Sequence, residues 1–266
     1  MQRSLVRIYA MLLRYFYILR GSWPRVVELV YWPTIQMILW GFIAQYYSLS
    51  NASFATQAAG AILGAVMLWD MLFRTQLGVS LSFMEEMWSR NLGHLFVSPL
   101  RPFEWCISMI TISAFRAIAG MIPAVILAIP FYGYSLFDLG LPLIFFFFNL
   151  MFMGWWLGLL ITAMLLRAGL GAEGIAWATV FLLAPVSAVF YPVSALPEWL
   201  QAISWALPAA HVFEGLRDLV LNGVFEMRHM LFATALNIFY LTVSCFVLFW
   251  SFNHSRKVGT LLQAGD

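Results

Sequence analysis

Six stretches of this chain are long and apolar enough to be read as membrane crossings: roughly residues 26–47, 55–79, 105–131, 140–165, 174–191 and 229–252. A helix crossing the hydrocarbon core needs about 17–25 apolar residues. A transmembrane β-barrel would instead show short segments of alternating polarity, and these runs are continuous. Charge scarcity points the same way. Only 10% of the residues are charged, whereas a soluble domain carries about 25%. The sequence therefore predicts an all-α polytopic membrane protein with one transmembrane domain over residues 1–266.

The segments between the runs carry the remaining information. In residues 1–22, Arg3, Arg7 and Arg14 fall within about 40° of one another at 100° per residue, with Leu5, Ile8, Leu12, Phe16 and Leu19 on the other side. This predicts an amphipathic helix in the membrane interface, its basic face toward anionic headgroups. Arginines recurring through the segment, with no small-residue cleavage site, argue against a signal peptide. A Ser/Asn loop is expected over 48–53, and a polar segment over 83–100 separates the second and third runs. That segment holds Glu85, Glu86, Arg90 and His94 and ends at Ser98-Pro99 and Arg101-Pro102, where proline stops a helix. Between residues 192 and 222, Pro192, Pro197 and Pro208 cut an apolar stretch into pieces too short to cross. These pieces predict re-entrant helices.

Six crossings put both termini on one side. Arg3, Arg7, Arg14, Arg20, Arg90, Arg101, Arg167, Arg256 and Lys257 then share that side, and only Arg217 and Arg228 lie clearly opposite. By the positive-inside rule the termini are cytoplasmic, in a cell's inner membrane, and residues 192–222 are external. A net charge of +2 is too small to suggest nucleic-acid binding. Cys106 and Cys245 lack metal-ligand spacing. Lys257, the sole lysine, is followed by valine. A phosphate-binding loop needs Gly-Lys-Ser/Thr, so any ATP used with this chain binds to another polypeptide.

Two stretches carry a family resemblance. Glu85-Glu86, eight residues, then Leu95-Phe96-Val97-Ser98-Pro99-Leu100 is similar to an acidic stretch followed by a Leu-x-x-Ser/Thr-Pro ending. Tyr191-Pro192-Val193-Ser194-Ala195-Leu196-Pro197-Glu198-Trp199-Leu200, running on to Leu207-Pro208 and Glu214-Gly215-Leu216-Arg217, is similar to a Phe/Tyr-Pro-x-x-x-Leu-Pro segment and the helix after it. With the layout above, the chain resembles the type-2 permeases of ATP-binding-cassette exporters. It departs from them in that Trp88 to His94 has little acidic character. The resemblance implies a homodimer on two ATPase subunits, with ATP and magnesium on those subunits and no cofactor in this chain. It implies export of a polysaccharide, a lipid-linked glycan or a hydrophobic compound. It also implies that residues 83–100 are a cytoplasmic coupling helix.

Several residues are candidates for these roles. Glu85, Glu86, Arg90 and His94 are expected to contact the ATPase, against the alternative of a merely solvated helix face. Asp70, Arg74 and Arg116 lie within or near the hydrocarbon, where charge is expensive and faces protein or water. Asp70 and Arg74, four apart, can pair. Arg116 could face a translocation path, bind a headgroup, or join a structural pair with Asp70. Tyr31, Trp32, Tyr46, Tyr47, Trp155 and Trp156 are expected in interfacial belts. Pro192, Pro197, Trp199, Glu214 and Arg217 form a candidate external gate, with Glu214 and Arg217 paired at i,i+3. His211 has no second histidine at ligand spacing, so a metal site is not expected. A membrane enzyme acting on a lipid-linked substrate is the alternative. It would need His, Asp or Glu clustered at one depth, whereas the acids here are scattered, and no catalytic residue is assigned. An ion-driven carrier has Asp70 and Arg116 alone in its favour.

Overall fold

The computed structural model of the chain describes residues 2–48 and 54–258. Among these the helices are α1 (Gln2–Arg20), α2 (Trp23–Ser48), α3 (Phe54–Trp88), α4 (Leu92–Val97), α5 (Pro102–Tyr132), α6 (Leu141–Ala168), α7 (Glu173–Leu183), α8 (Glu198–Trp205), α9 (Pro208–Arg217) and α10 (Met227–Val258). No strand occurs among the described residues. Most of the loop expected over 48–53 falls outside them.

Helix ends follow local chemistry. α5 begins at Pro102, whose missing N–H is no loss in a first turn. The Arg101 N–H donates to Glu104 Oε2 at 2.9 Å. α5 ends at Gly133 and α6 at Gly169, both with positive φ, the left-handed geometry that glycine adopts without strain. Pro123 and Pro130 lie inside α5 and Pro33 inside α2. Membrane helices tolerate proline where neighbours satisfy the freed backbone.

Among the described residues, five helical segments are long and apolar enough to cross a membrane: Trp23–Tyr46, Gly60–Trp88, Pro102–Tyr132, Leu141–Ala168 and Met227–Lys257. The expected end of the second run at residue 79 is corrected by this. The helix continues through the polar residues to Trp88, because no breaker intervenes and Val79, Phe83, Met84 and Met87 keep its buried face apolar. Ser80 and Ser82 return their hydroxyls to the carbonyls of Gln76 and Gly78. Residues 83–88 are thus the end of a crossing helix rather than part of a separate one.

A full-length crossing over 174–191 is not found. The apolar helix there is Glu173–Val186, and its α-helical part has 11 residues. At about 1.5 Å per residue the longer range spans about 21 Å, short of the roughly 30 Å core. Pro185 and the left-handed Ala188 (φ 54°) break the helix. The segment still runs beside α3, where Gln76 Nε2 donates to Ala176 O (3.1 Å) and Phe181 meets Phe73, and it reaches α2, where Phe190 stacks on Trp40.

α3 and α6 pack closely at the centre. A Cβ at Gly154 would come 2.7 Å from Thr75 Cβ and 2.8 Å from Leu72 O; one at Gly158 would come 2.6 Å from Val79 Cβ and 2.8 Å from Gln76 O. This Gly-x-x-x-Gly stripe lets two backbones approach. α6 meets α10 through a polar ladder. Asn237 Nδ2 donates to Asn149 O (2.9 Å), Thr234 donates to Asn149 Oδ1 (3.1 Å), and Trp156 Nε1 donates to Asn237 Oδ1 (3.0 Å). Trp155 donates to Ser113 Oγ. Trp155 and Trp156 therefore sit at mid-helix with their indole N–H groups satisfied by protein, not in a belt. Tyr31, Trp32 and Tyr46 are exposed, and the Tyr47 side chain lies outside the description.

Gly158→Val should force α6 away from α3 and cost about 1–3 kcal/mol, the usual scale of overpacking. It should read as a lower thermal midpoint in detergent. Gly171→Ala, which meets nothing within 4 Å, should leave that midpoint unchanged.

Candidate functional site

The polar segment is the end of α3 folded onto the ends of three other helices. Glu85 is approached by Arg116 of α5 (3.0 Å) and Arg25 of α2 (3.5 Å). Glu86 pairs with Arg14 of α1 (2.8 Å) and accepts from Asn91 Nδ2 (2.7 Å). Glu104 takes both Arg7 Nε (2.8 Å) and Arg7 Nη2 (2.6 Å). All three carboxylates are buried. A carboxylate leaves water only with a partner, so each recruits an arginine from another helix.

Two expectations are corrected here. Glu86 and Arg90 do not share a solvated helix face, since α3 ends at Trp88 and Arg90 has φ 52°. Glu85 and Glu86 face inward, and their charge is spent on the protein's own arginines. What remains at the surface is Trp88, Ser89, Arg90, His94 and Val97, on a link pinned by buried Leu92 and Leu95. The basic face of α1 is also reassigned. Arg7 and Arg14 turn inward to Glu104 and Glu86, while Leu5, Val6, Tyr9, Phe16 and Tyr17 are exposed and Arg3 points outward. Buried Tyr15 accepts from Trp105 Nε1 at 3.0 Å, and burial pushes its phenol pKa well above the usual value.

Within the membrane part, Asp70 and Arg74 pair at 2.6 Å. Arg74 Nη1 also donates to Leu29 O at 2.9 Å. Leu29 lies four residues before Pro33, so its carbonyl is the one that proline leaves without a helical donor. Arg74 fills that gap. Arg116 does not pair with Asp70. It pairs with Glu85, three residues before the end of α3, from a position midway along α5.

At the opposite end, Glu214 accepts from the Val193 N–H (2.5 Å) and pairs with Arg217 (3.3 Å), which donates to Ala188 O (2.8 Å). The i,i+3 pair thus ties α9 to the irregular stretch after α7. Pro192 and Pro197 bracket the short turn Val193–Ala195, and Trp199 is exposed. His211 is buried, its Nε2 on Trp205 O at 2.9 Å. Burial lowers its pKa. Beside it, Asp218, Glu226 and His229 bring their ligating atoms within 4.8 Å of one another. Sequence reading missed Arg25, Asn91, Glu104 and His229. For Arg25 and Glu104 a signal existed: isolated charges at the ends of neighbouring apolar runs share a depth.

The profile of the ABC-2 type transporter family matches residues 8–221, well over half of the chain. The chain belongs to the ABC-2 type transporter family. It is thus a multi-pass membrane protein and a transport permease, of a family whose permeases work with ATP-binding-cassette ATPase subunits. The match runs from α1 to the turn after α9 and includes both the charged cluster and the Glu214–Arg217 tie. No curated relative matches the chain.

Arg74→Gln should destabilise the permease by about 1–3 kcal/mol, the cost of leaving a buried polar group unpaired. Pro33→Ala should recover much of that loss, because alanine restores the helical donor to Leu29. Additive losses in the double variant would show that the two sites are not coupled.

Proposed function

We propose that this chain is the membrane half of an ATP-driven exporter whose ATPase subunit presses on the link between α3 and α5. The carrying observation is mechanical. The surface that offers Arg90 and His94 is joined directly to the end of α3, and three buried carboxylates there hold arginines from α1, α2 and α5. Displacing this link loads four helices at once. The coupling contact is therefore assigned to Arg90 and His94, with Glu85 and Glu86 behind them as the tie to the membrane helices.

The clustering of Arg3, Arg90, Arg101, Arg167 and Lys257 at helix ends that meet supports a cytoplasmic location for this end. The opposite end, with Pro192, Pro197, Trp199, Glu214 and Arg217, is then the external gate of an inner-membrane permease. The exposed apolar side of α1 suits the membrane interface. α2 is sparsely buried, which leaves a face for lipid or for a second copy in a homodimer. The exported substrate is a polysaccharide, a lipid-linked glycan or a hydrophobic compound, and ATP and magnesium reside on the ATPase subunits. A membrane enzyme is disfavoured because Asp70, Glu85, Glu86 and Glu104 are each paired with arginine rather than grouped around an open cleft.

The test is co-expression with an ATP-binding-cassette ATPase subunit from the same genome, followed by co-purification and ATP hydrolysis in lipid nanodiscs. Arg90→Glu with His94→Glu should reduce complex recovery and transporter-dependent ATP hydrolysis at least about tenfold, while the thermal midpoint of the permease alone stays put. Unchanged coupling in that double variant would remove the docking role.

A further inference from the structure

The turn between α9 and α10 gathers a second set of groups with no part in the coupling scheme. Asp218 starts the π-helical turn Asp218–Asn222, Glu226 precedes α10, and His229 lies in the first turn of α10. Gly223, with φ 68°, reverses the chain between them. His229 Nε2 stands 3.9 Å from Asp218 Oδ2 and 3.7 Å from Glu226 Oε2. These are too long for hydrogen bonds. They are close to the spacing a small cation imposes. Ligand atoms about 2.0–2.2 Å from a tetrahedral zinc lie about 3.3–3.6 Å from one another, so small shifts of the two carboxylates would bring both to ligand spacing from His229.

The surroundings favour a ligating arrangement. Asn222 Nδ2 donates to Asp218 Oδ1 at 3.3 Å, leaving Oδ2 for the site. Such an outer contact orients a ligating carboxylate. The His229 ring lies nearly parallel to Trp205, with centroids 5.9 Å apart.

A separate observation comes from His211, whose ring centroid is 5.8 Å from that of His229. His211 is 8% exposed, and its Nδ1 is buried without a hydrogen-bond partner. Its Nε2 contacts a carbonyl oxygen, which only accepts, so Nε2 carries the proton and Nδ1 holds a lone pair. That is the tautomer in which an imidazole binds metal.

We infer that Asp218, Glu226 and His229 form a binding site for a divalent cation of the zinc class, beside the buried, unpartnered Nδ1 of His211. One imidazole and two carboxylates suit zinc better than calcium, which takes six to eight oxygens. The two carboxylates balance the charge of a 2+ ion. All three side chains are partly exposed, which gives the ion a way in. An ion held here clips the start of α10 to the turn after α9, one turn beyond the Glu214–Arg217 tie. This revises the expectation, drawn from sequence spacing, that the His211 region holds no metal. His229 is remote from His211 in sequence and becomes its neighbour only through the α9–α10 turn.

The full, untagged chain in lipid nanodiscs is stripped with chelator and titrated with zinc sulfate against a chromophoric zinc chelator. About one equivalent per chain should bind. His229→Ala should weaken binding at least about tenfold, and so should Asp218→Asn combined with Glu226→Gln, which keeps the shape of the site should the first variant misfold. His254→Gln, an exposed histidine at the far end of α10, should bind as the unaltered chain does. Binding well below one equivalent, or affinity unmoved in the Asp218→Asn, Glu226→Gln chain, would overturn the proposal. The assay needs no ATPase and no transport, so its failure leaves the permease reading intact.

Discussion

Three glutamates are buried at one end of a bundle that is otherwise almost without charge. An isolated carboxylate there would cost several kcal/mol. Glu85, Glu86 and Glu104 avoid this by taking arginines from α1, α2 and α5. The arrangement of four helices at that end follows from the pairing. α1 cannot drift across the membrane surface while Arg7 and Arg14 are held, and the link carrying Arg90 and His94 cannot move without α3. Glu85 serves two arginines and Glu86 one, so adjacent residues on α3 reach three different helices.

The remainder of the bundle relies on close approach and on matched polar groups. Gly154 and Gly158 bring α6 onto α3, and Asn149, Asn237 and Thr234 bind α6 to α10. The opposite end is built differently. Its helices are short, Pro185 and Ala188 interrupt the path after α7, and a π-helical turn follows α9. Glu214 and Arg217 hold that end with bonds to Val193 and Ala188. A stiff, ion-paired end on one side and an end of short tied pieces on the other is the asymmetry expected of a device that is pushed at one face and opens at the other. In thermodynamic terms, segments that move come from the less stable part of a structure.

Apolar run length made the membrane class legible, and the proline and tyrosine pattern at 191–208 made the family legible. Helix ends were harder. The second run was cut at residue 79 because Ser80, Ser82, Glu85 and Glu86 look like an aqueous segment. They become compatible with a crossing helix only when partners such as Arg14 and Arg116, distant in sequence, are known. The same blindness makes Glu85 and Glu86 read as an ATPase contact or a solvated face, where they are paired inside the protein. Local pairs fared better: Asp70–Arg74 and Glu214–Arg217 are both present, since i,i+4 and i,i+3 spacing is enough to find them. The run at 174–191 had suitable composition for a crossing, but Pro185 decided its length. His229 could not be linked to Asp218 without the turn at Gly223.

The central claim is that the end bearing Arg90 faces the compartment of the motor. In a chain with Cys106→Ala and Cys245→Ala, single cysteines at Arg90 and at Trp199 can be challenged with a membrane-impermeant maleimide in sealed, right-side-out vesicles. The account predicts that Trp199→Cys is labelled at once and that Arg90→Cys is labelled only after the membrane is permeabilised. Labelling of Arg90→Cys in intact vesicles would contradict it.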